Sequence, residues 1–119
     1  MIDMPPAIVE VYFDSSCTPC RRELPALAKA VGEENIPLAI FILGDETKAR
    51  EQLNEISPVL LPRAKSVGDK DVRGVLRAAG NDEGILPYAR AVQANGHVCA
   101  QWRGILNVDR IRALLAACK

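Results

Sequence analysis

The chain has 119 residues, 15 Lys+Arg against 15 Asp+Glu, and 49% hydrophobic residues, which describes one soluble globular domain with its own core and excludes two. Zero net charge without a basic run excludes an electrostatic nucleic-acid binder, because phosphate contacts need clustered Lys and Arg. No apolar stretch approaches the ~18 residues that span a bilayer, and residues 1–6 lack the basic and apolar regions of a secretory leader.

Residues 1–6 read as an N-terminal extension and 7–119 as the domain, expected to be a monomer. Residues 7–13, AIVEVYF, are β-branched and aromatic and end at Asp14-Ser15-Ser16, which predicts a buried strand. From Pro19 to about Val31, the apolar Leu24, Leu27, Ala28 and Val31 recur at helical spacing. Pro25 lies inside that helix, removes a donor and crowds the Arg21 carbonyl, so a kink is expected. Residues 37–43, PLAIFIL, form a continuous apolar run, the pattern of a strand covered on both faces.

Ala49, Leu53 and Ile56 give a second helix face, closed by Ser57-Pro58. Residues 59–68 are the least legible; a short strand at 59–61 followed by a loop is the expectation. Val72, Val75, Leu76 and Ala79 make a third helical face, with Asp69 as its N-cap and Gly74 weakening it. Two extended segments, 85–92 and 97–102, flank Asn95-Gly96, the strongest short hairpin signal. Asn107 caps a last helix with Val108, Ile111, Leu114 and Leu115 on one face. The order β-α-β-α-(α)-β-β-α implies an α/β fold of one sheet covered by helices.

Cys17-Thr18-Pro19-Cys20 sits where the first strand gives way to the first helix. Two cysteines three apart across a first helical turn can bring their sulfurs within disulfide range. The unpaired N–H groups and positive dipole end there favour a thiolate on Cys17, and Arg21 and Arg22 add positive charge. Cys17 is then the nucleophile, and Cys20 attacks the mixed disulfide to release the substrate. Pro19 removes a donor that would be unpaired in any case. The rival reading, half of a zinc site, lacks its other half: Cys99 and Cys118 form no second C-x-x-C and there is one histidine. A purely structural disulfide is the other rival, disfavoured by the reactive placement.

These residues resemble the thioredoxin-fold thiol-disulfide oxidoreductases, closest to the TlpA/ResA-like group. The resemblance is carried by residues 9–13, by the C-x-P-C of Cys17 to Cys20, and by residues 21–27, RRELPAL, after it. Pro87 stands before the hairpin like the family's cis-proline, and Gly104 follows the second hairpin strand like the glycine of its substrate groove. The resemblance implies a three-layer thioredoxin-like fold: a central mixed sheet flanked by helices, with a C-terminal hairpin and helix. It implies Cys17 and Cys20 as catalytic, and Thr18, Pro19, Leu86, Pro87 and Gly104 as substrate-binding. No cofactor or metal is implied, since the electrons reside in the two cysteines. The partners are protein disulfide or dithiol substrates and a redox partner protein, and the compartment is extracytoplasmic, as in a periplasmic reductase of the cytochrome c maturation type. A copper-binding thiol carrier and a non-catalytic interaction domain on the same fold are the alternatives.

The departures are specific. Ser16 replaces the family's usual Trp, and Val11 stands where thioredoxins bury an acid, so proton removal from Cys20 falls to water or to an acid such as Glu10 or Glu23. Leu86 precedes the proline where many relatives carry Thr or Val, and Arg90 interrupts a strand position that is usually apolar. Cys99 reads as a small buried hydrophobe and Cys118 as a free thiol near the terminus, with a disulfide between them if the last helix packs beside the hairpin. Trp102 is expected to pack on that helix, a place near the active site being the alternative, Glu10 to be solvated or paired, and His97 to be a solvated turn residue.

Overall fold

The computed structural model describes residues 7–67 and 71–119. The extension at 1–6 and the expected cap Asp69 lie outside the described residues. The elements are β1 (Ala7–Asp14), α1 (Thr18–Gly32), β2 (Leu38–Leu43), α2 (Glu46–Ile56), a 3-10 helix (Pro58–Arg63), β3 (Ala64–Ser66), α3 (Val72–Ala78), β4 (Tyr88–Gln93), β5 (Val98–Arg103) and α4 (Val108–Ala116).

They build a five-stranded sheet in the order β3-β2-β1-β4-β5. The central β1 runs parallel to β2 and antiparallel to β4, with Tyr12 opposite both Phe41 and Tyr88. β2 pairs in parallel with β3, and β4 with β5 as an antiparallel hairpin. Its turn is the predicted one: Gly96 N–H bonds the Gln93 carbonyl at 2.8 Å.

Side chains alternate across a strand, so β1 serves two cores. Val9, Val11 and Phe13 join Leu38, Ile40, Ile42, Ala89 and Ala91 under the apolar faces of α1, α2 and α4. On the opposite side, Tyr12, Leu43 and Tyr88 pack with Leu76 and Ala79 of α3 and the turn after it. This is the expected three-layer arrangement, and α1 remains helical through Pro25.

Three expectations need correction. Residues 59–61 belong to a 3-10 helix begun by Pro58, and the edge strand lies after it at Ala64–Ser66. The α3 cap is Asp71, whose carboxylate accepts the Gly74 N–H at 2.9 Å. Cys118 is not a free thiol and Cys99 is not merely a buried hydrophobe: they form a disulfide with Cα atoms 5.1 Å apart. The physical reason is that α4 packs beside β5, the condition under which the pair can meet.

Candidate active site

The predicted cysteine pair lies at the N-terminus of α1 because β1 ends in a tight turn. The Asp14 carbonyl accepts the Cys17 N–H at 3.0 Å, and its carboxylate accepts the Ser16 N–H and hydroxyl at 3.0 and 2.9 Å. Gln52 of α2 donates to the Ser15 carbonyl at 3.2 Å from the other side. Cys17 is itself the N-cap: its Sγ accepts the Cys20 N–H at 3.2 Å and its carbonyl accepts the Arg21 N–H at 3.2 Å. Pro19 occupies the first turn, where its missing N–H leaves nothing unpaired.

Cys17 and Cys20 are joined as a disulfide with Cα atoms 5.2 Å apart. Their environments differ. Cys20 is 1% exposed in the core, whereas Cys17 is half-buried and flanked by exposed Ser16, Thr18 and Pro19. Arg21 donates to Thr18 Oγ1 at 3.1 Å, which holds its guanidinium against the first turn of α1.

Glu23 follows one turn after Cys20 and is 2% exposed. Positions three apart on a helix are neighbours, so the carboxyl lies on the same covered face as Cys20. Burial pushes its carboxyl up to about 8, opposed by the Leu106 N–H that it accepts at 2.5 Å. Glu10, the other acid considered from the sequence, faces the α3 side with Tyr12. There it is paired with Arg90 Nε at 2.7 Å and accepts the Tyr12 hydroxyl. The sheet therefore separates Glu10 from α1, and Val11 supplies only apolar packing beneath it.

Leu86, Pro87 and Gly104 converge at the same end of the sheet. Tyr12 opposes Tyr88, so Leu86-Pro87 enters beside the end of β1 that leads to Cys17. The Leu86–Pro87 bond is cis, as expected. Gly104 N–H donates to the Pro87 carbonyl at 2.9 Å, with φ +122, a conformation that side chains with a Cβ rarely adopt. Among the described residues, neither the N–H nor the C=O of Leu86 has a hydrogen-bond partner. Exposed Ile85 and Ile105 flank this junction, at 46% and 59% exposure.

Trp102 packs toward α4 as expected: Arg110 lies over its ring at 3.8 Å, and its indole N–H donates to the Ile105 carbonyl at 3.2 Å. Sequence reasoning missed Gln52, Asn81 and Arg103. Asn81 was hidden within a loop whose Gly80 and Gly84 signal only a turn.

The sequence matches no protein-family model and no curated protein. Solved structures do match. A thioredoxin-related protein from Neisseria meningitidis serogroup B superposes with TM-score 0.75 at 18% identity, over 96% of this chain and 85% of that one. An exposed lipoprotein thioredoxin from Streptococcus pneumoniae gives 0.70 at 13% identity, over 95% and 85%. A secreted Mycobacterium tuberculosis disulfide oxidoreductase, homologous to E. coli DsbE, gives 0.64 at 16% identity, over 93% and 81%. At these identities the likeness shows the fold alone: the chain has the thioredoxin fold.

Proposed function

We propose that residues 7–119 form a thiol-disulfide oxidoreductase that reduces disulfides in protein substrates through Cys17 and Cys20. The observation that carries this reading is the asymmetric pair at the α1 N-terminus, with Cys17 accessible and Cys20 buried, joined across one turn. Such a turn stabilises a thiolate on its first cysteine and withholds the second until a mixed disulfide has formed.

In the reduced protein, the Cys17 thiolate attacks one sulfur of the substrate disulfide. A Cys17–substrate S–S bond forms, the substrate S–S bond breaks, and the departing substrate sulfur takes the electron pair and a proton. Cys20 then loses its proton to the ionised form of Glu23, a carboxyl raised to about 8, close to a free thiol, so that the acceptor becomes more available as pH rises toward that value. The Cys20 thiolate attacks Cys17 Sγ, the Cys17–Cys20 bond forms, and the second substrate sulfur leaves as a thiolate. Two electrons pass to the substrate, and a dithiol partner protein restores the reduced state. Thr18 and Pro19 form the exposed rim beside Cys17, while Leu86, Pro87 and Gly104 take the substrate backbone as an added strand.

The reductive direction follows the resemblance of the C-x-P-C and of residues 21–27 to reductases of the cytochrome c maturation type. An extracytoplasmic site of action, as a monomer, fits a chain carrying two disulfides. The similar structures described as secreted and exposed agree with it.

Insulin reduction with dithiothreitol as electron source tests the activity, and trapping tests the roles. Cys17→Ser abolishes turnover; Cys20→Ser attacks but cannot resolve, and accumulates mixed disulfides. A wild-type protein that leaves insulin intact, or trapping by Cys17→Ser alone, overturns the reading.

A further inference from the structure

Asn81 is 1% exposed, and every polar group it carries is engaged. Its Nδ2 donates to the Ile85 carbonyl at 2.7 Å, and its Oδ1 accepts Arg103 Nε at 2.9 Å. Its N–H bonds the Leu76 carbonyl at 2.8 Å, and its carbonyl accepts the Gly84 N–H at 3.1 Å. Arg103 adds a bond to the Gly80 carbonyl at 3.0 Å and lies 5.8 Å from the Tyr88 ring centroid. The pair therefore ties the end of α3 to the last residue of β5.

The two residues that the Asn81 side chain grips, Ile85 and Arg103, adjoin Leu86-Pro87 and Gly104. With the bond from Gly104 to the Pro87 carbonyl, the contacts close a ring around the open end of the hairpin. The carbonyls on either side of Leu86 are consumed inside the protein, by Asn81 and by Gly104. Leu86, between them, presents a free backbone N–H and C=O to an incoming strand.

We propose that Asn81 and Arg103 are positioning residues that hold the Leu86-Pro87 and Gly104 edge in the orientation that receives an extended protein substrate. The proposal rests on the oxidoreductase function and docking edge given above. Strand addition needs a donor and an acceptor held in extended geometry. An edge that is ordered before binding spares the complex the cost of ordering it. The buried amide holds Ile85 in place, and the exposed guanidinium sets its distance from β5.

The experiment compares wild type with Arg103→Ala, Arg103→Lys and Asn81→Asp. It reads kcat and KM for insulin reduction, the rate at which iodoacetamide alkylates reduced Cys17, and the melting temperature. Arg103 is exposed, so its truncation removes no core side chain, but it leaves the buried Asn81 Oδ1 without its partner, and the melting temperature reads that cost separately from KM. Arg103→Ala is expected to raise KM about tenfold, equivalent to roughly 1.4 kcal/mol, while the alkylation rate stays at the wild-type value. Arg103→Lys restores part of the loss. Asn81→Asp keeps an acceptor for Arg103 but loses the donor to Ile85, and so raises KM as well; if it does not fold, Arg103→Ala decides. An unchanged KM in Arg103→Ala, or KM and alkylation shifting together with the melting temperature, overturns the positioning role. Wild-type protein whose Cys17 alkylates but which never reduces insulin overturns the underlying function, and the positioning role with it.

Discussion

Glu23 and Leu106 are 83 residues apart in sequence, yet the Glu23 carboxyl accepts the Leu106 N–H at 2.5 Å inside the protein. The bond joins the helix that follows Cys17 to the segment between Gly104 and α4, so the buried acid one turn along α1 from Cys20 and the docking edge share one anchor. It also gives a backbone N–H that would otherwise be buried its partner.

That burial makes stability depend on pH with a definite sign. Glu23 goes from an ordinary 4.5 in the unfolded chain to about 8 in the fold. Between these values the folded state binds more protons, so stability falls as pH rises through this window and levels off above it. The shift corresponds to roughly 3 to 5 kcal/mol across the window. Glu23→Gln keeps an acceptor for Leu106 and has nothing to ionise. Urea denaturation at pH 5 and pH 8 should show a smaller difference for the variant than for wild type, with the variant more stable at pH 8. The same variant should slow release of substrate from the mixed disulfide. Equal pH slopes for the two proteins would place Glu23 in solvent.

The Cys99–Cys118 disulfide closes a segment of sequence separation 19 that contains all of α4. Loop-closure entropy assigns such a crosslink about 3 kcal/mol. Replacing both residues with Ser should lower the denaturation midpoint accordingly while leaving insulin reduction measurable. Loss of turnover without loss of stability would mean that this pair takes part in electron transfer.

Arg90 and Glu10 face each other across β1 and β4, with side chains 20% and 13% exposed. Arg90 also donates to the Ala79 carbonyl at 3.2 Å. Arg90→Met leaves the Glu10 carboxylate half-buried and unmatched, and should cost about 2 kcal/mol. The Tyr12 hydroxyl, pushed up to about 12 by burial and by Glu10 against the pull of Arg90, should then titrate higher still. Denaturation and ultraviolet phenolate absorbance check both. A Tyr12 titration that falls on removing Arg90 would contradict the arrangement.

A Cβ at Gly104 would sit in ordinary contact with the Trp102 indole, its nearest neighbour being Nε1 at 3.6 Å, but the φ of +122 is one that residues with a Cβ rarely adopt. Gly104→Ala should therefore destabilise by about 1 to 3 kcal/mol through backbone strain rather than collision. It should also weaken protein-substrate turnover more than alkylation of Cys17. A variant as stable as wild type would show that the backbone relaxes there without cost.

Local chemistry made much of this protein legible in the sequence. The apolar runs at 7–13 and 37–43, the helical spacing of Leu24, Leu27 and Val31, and the caps and turn at Asn107 and Asn95-Gly96 each act within a few residues. Cys17 to Cys20 could be placed on a helix N-terminus for the same reason. Where competing local signals met, the reading slipped. Val59 and Leu61 have strand-like side chains, but Pro58 begins a 3-10 helix and the strand forms after it, at Ala64–Ser66. Asp71, immediately before Val72 in the sequence, caps α3.

What tertiary structure alone decided is how distant residues meet. Glu10 and Glu23 are acids of the first strand and first helix, and only the sheet's two faces separate an Arg90-paired carboxylate from a buried one that meets Leu106. Whether Cys99 and Cys118 pair depends on the packing of α4 beside β5. The roles of Asn81 and Arg103 require a turn after α3 to meet the end of a hairpin. Periodicity and capping are set by neighbours in the chain. Burial, ion pairing and hydrogen bonds across 22 to 83 residues depend on which surfaces the folded layers bring together.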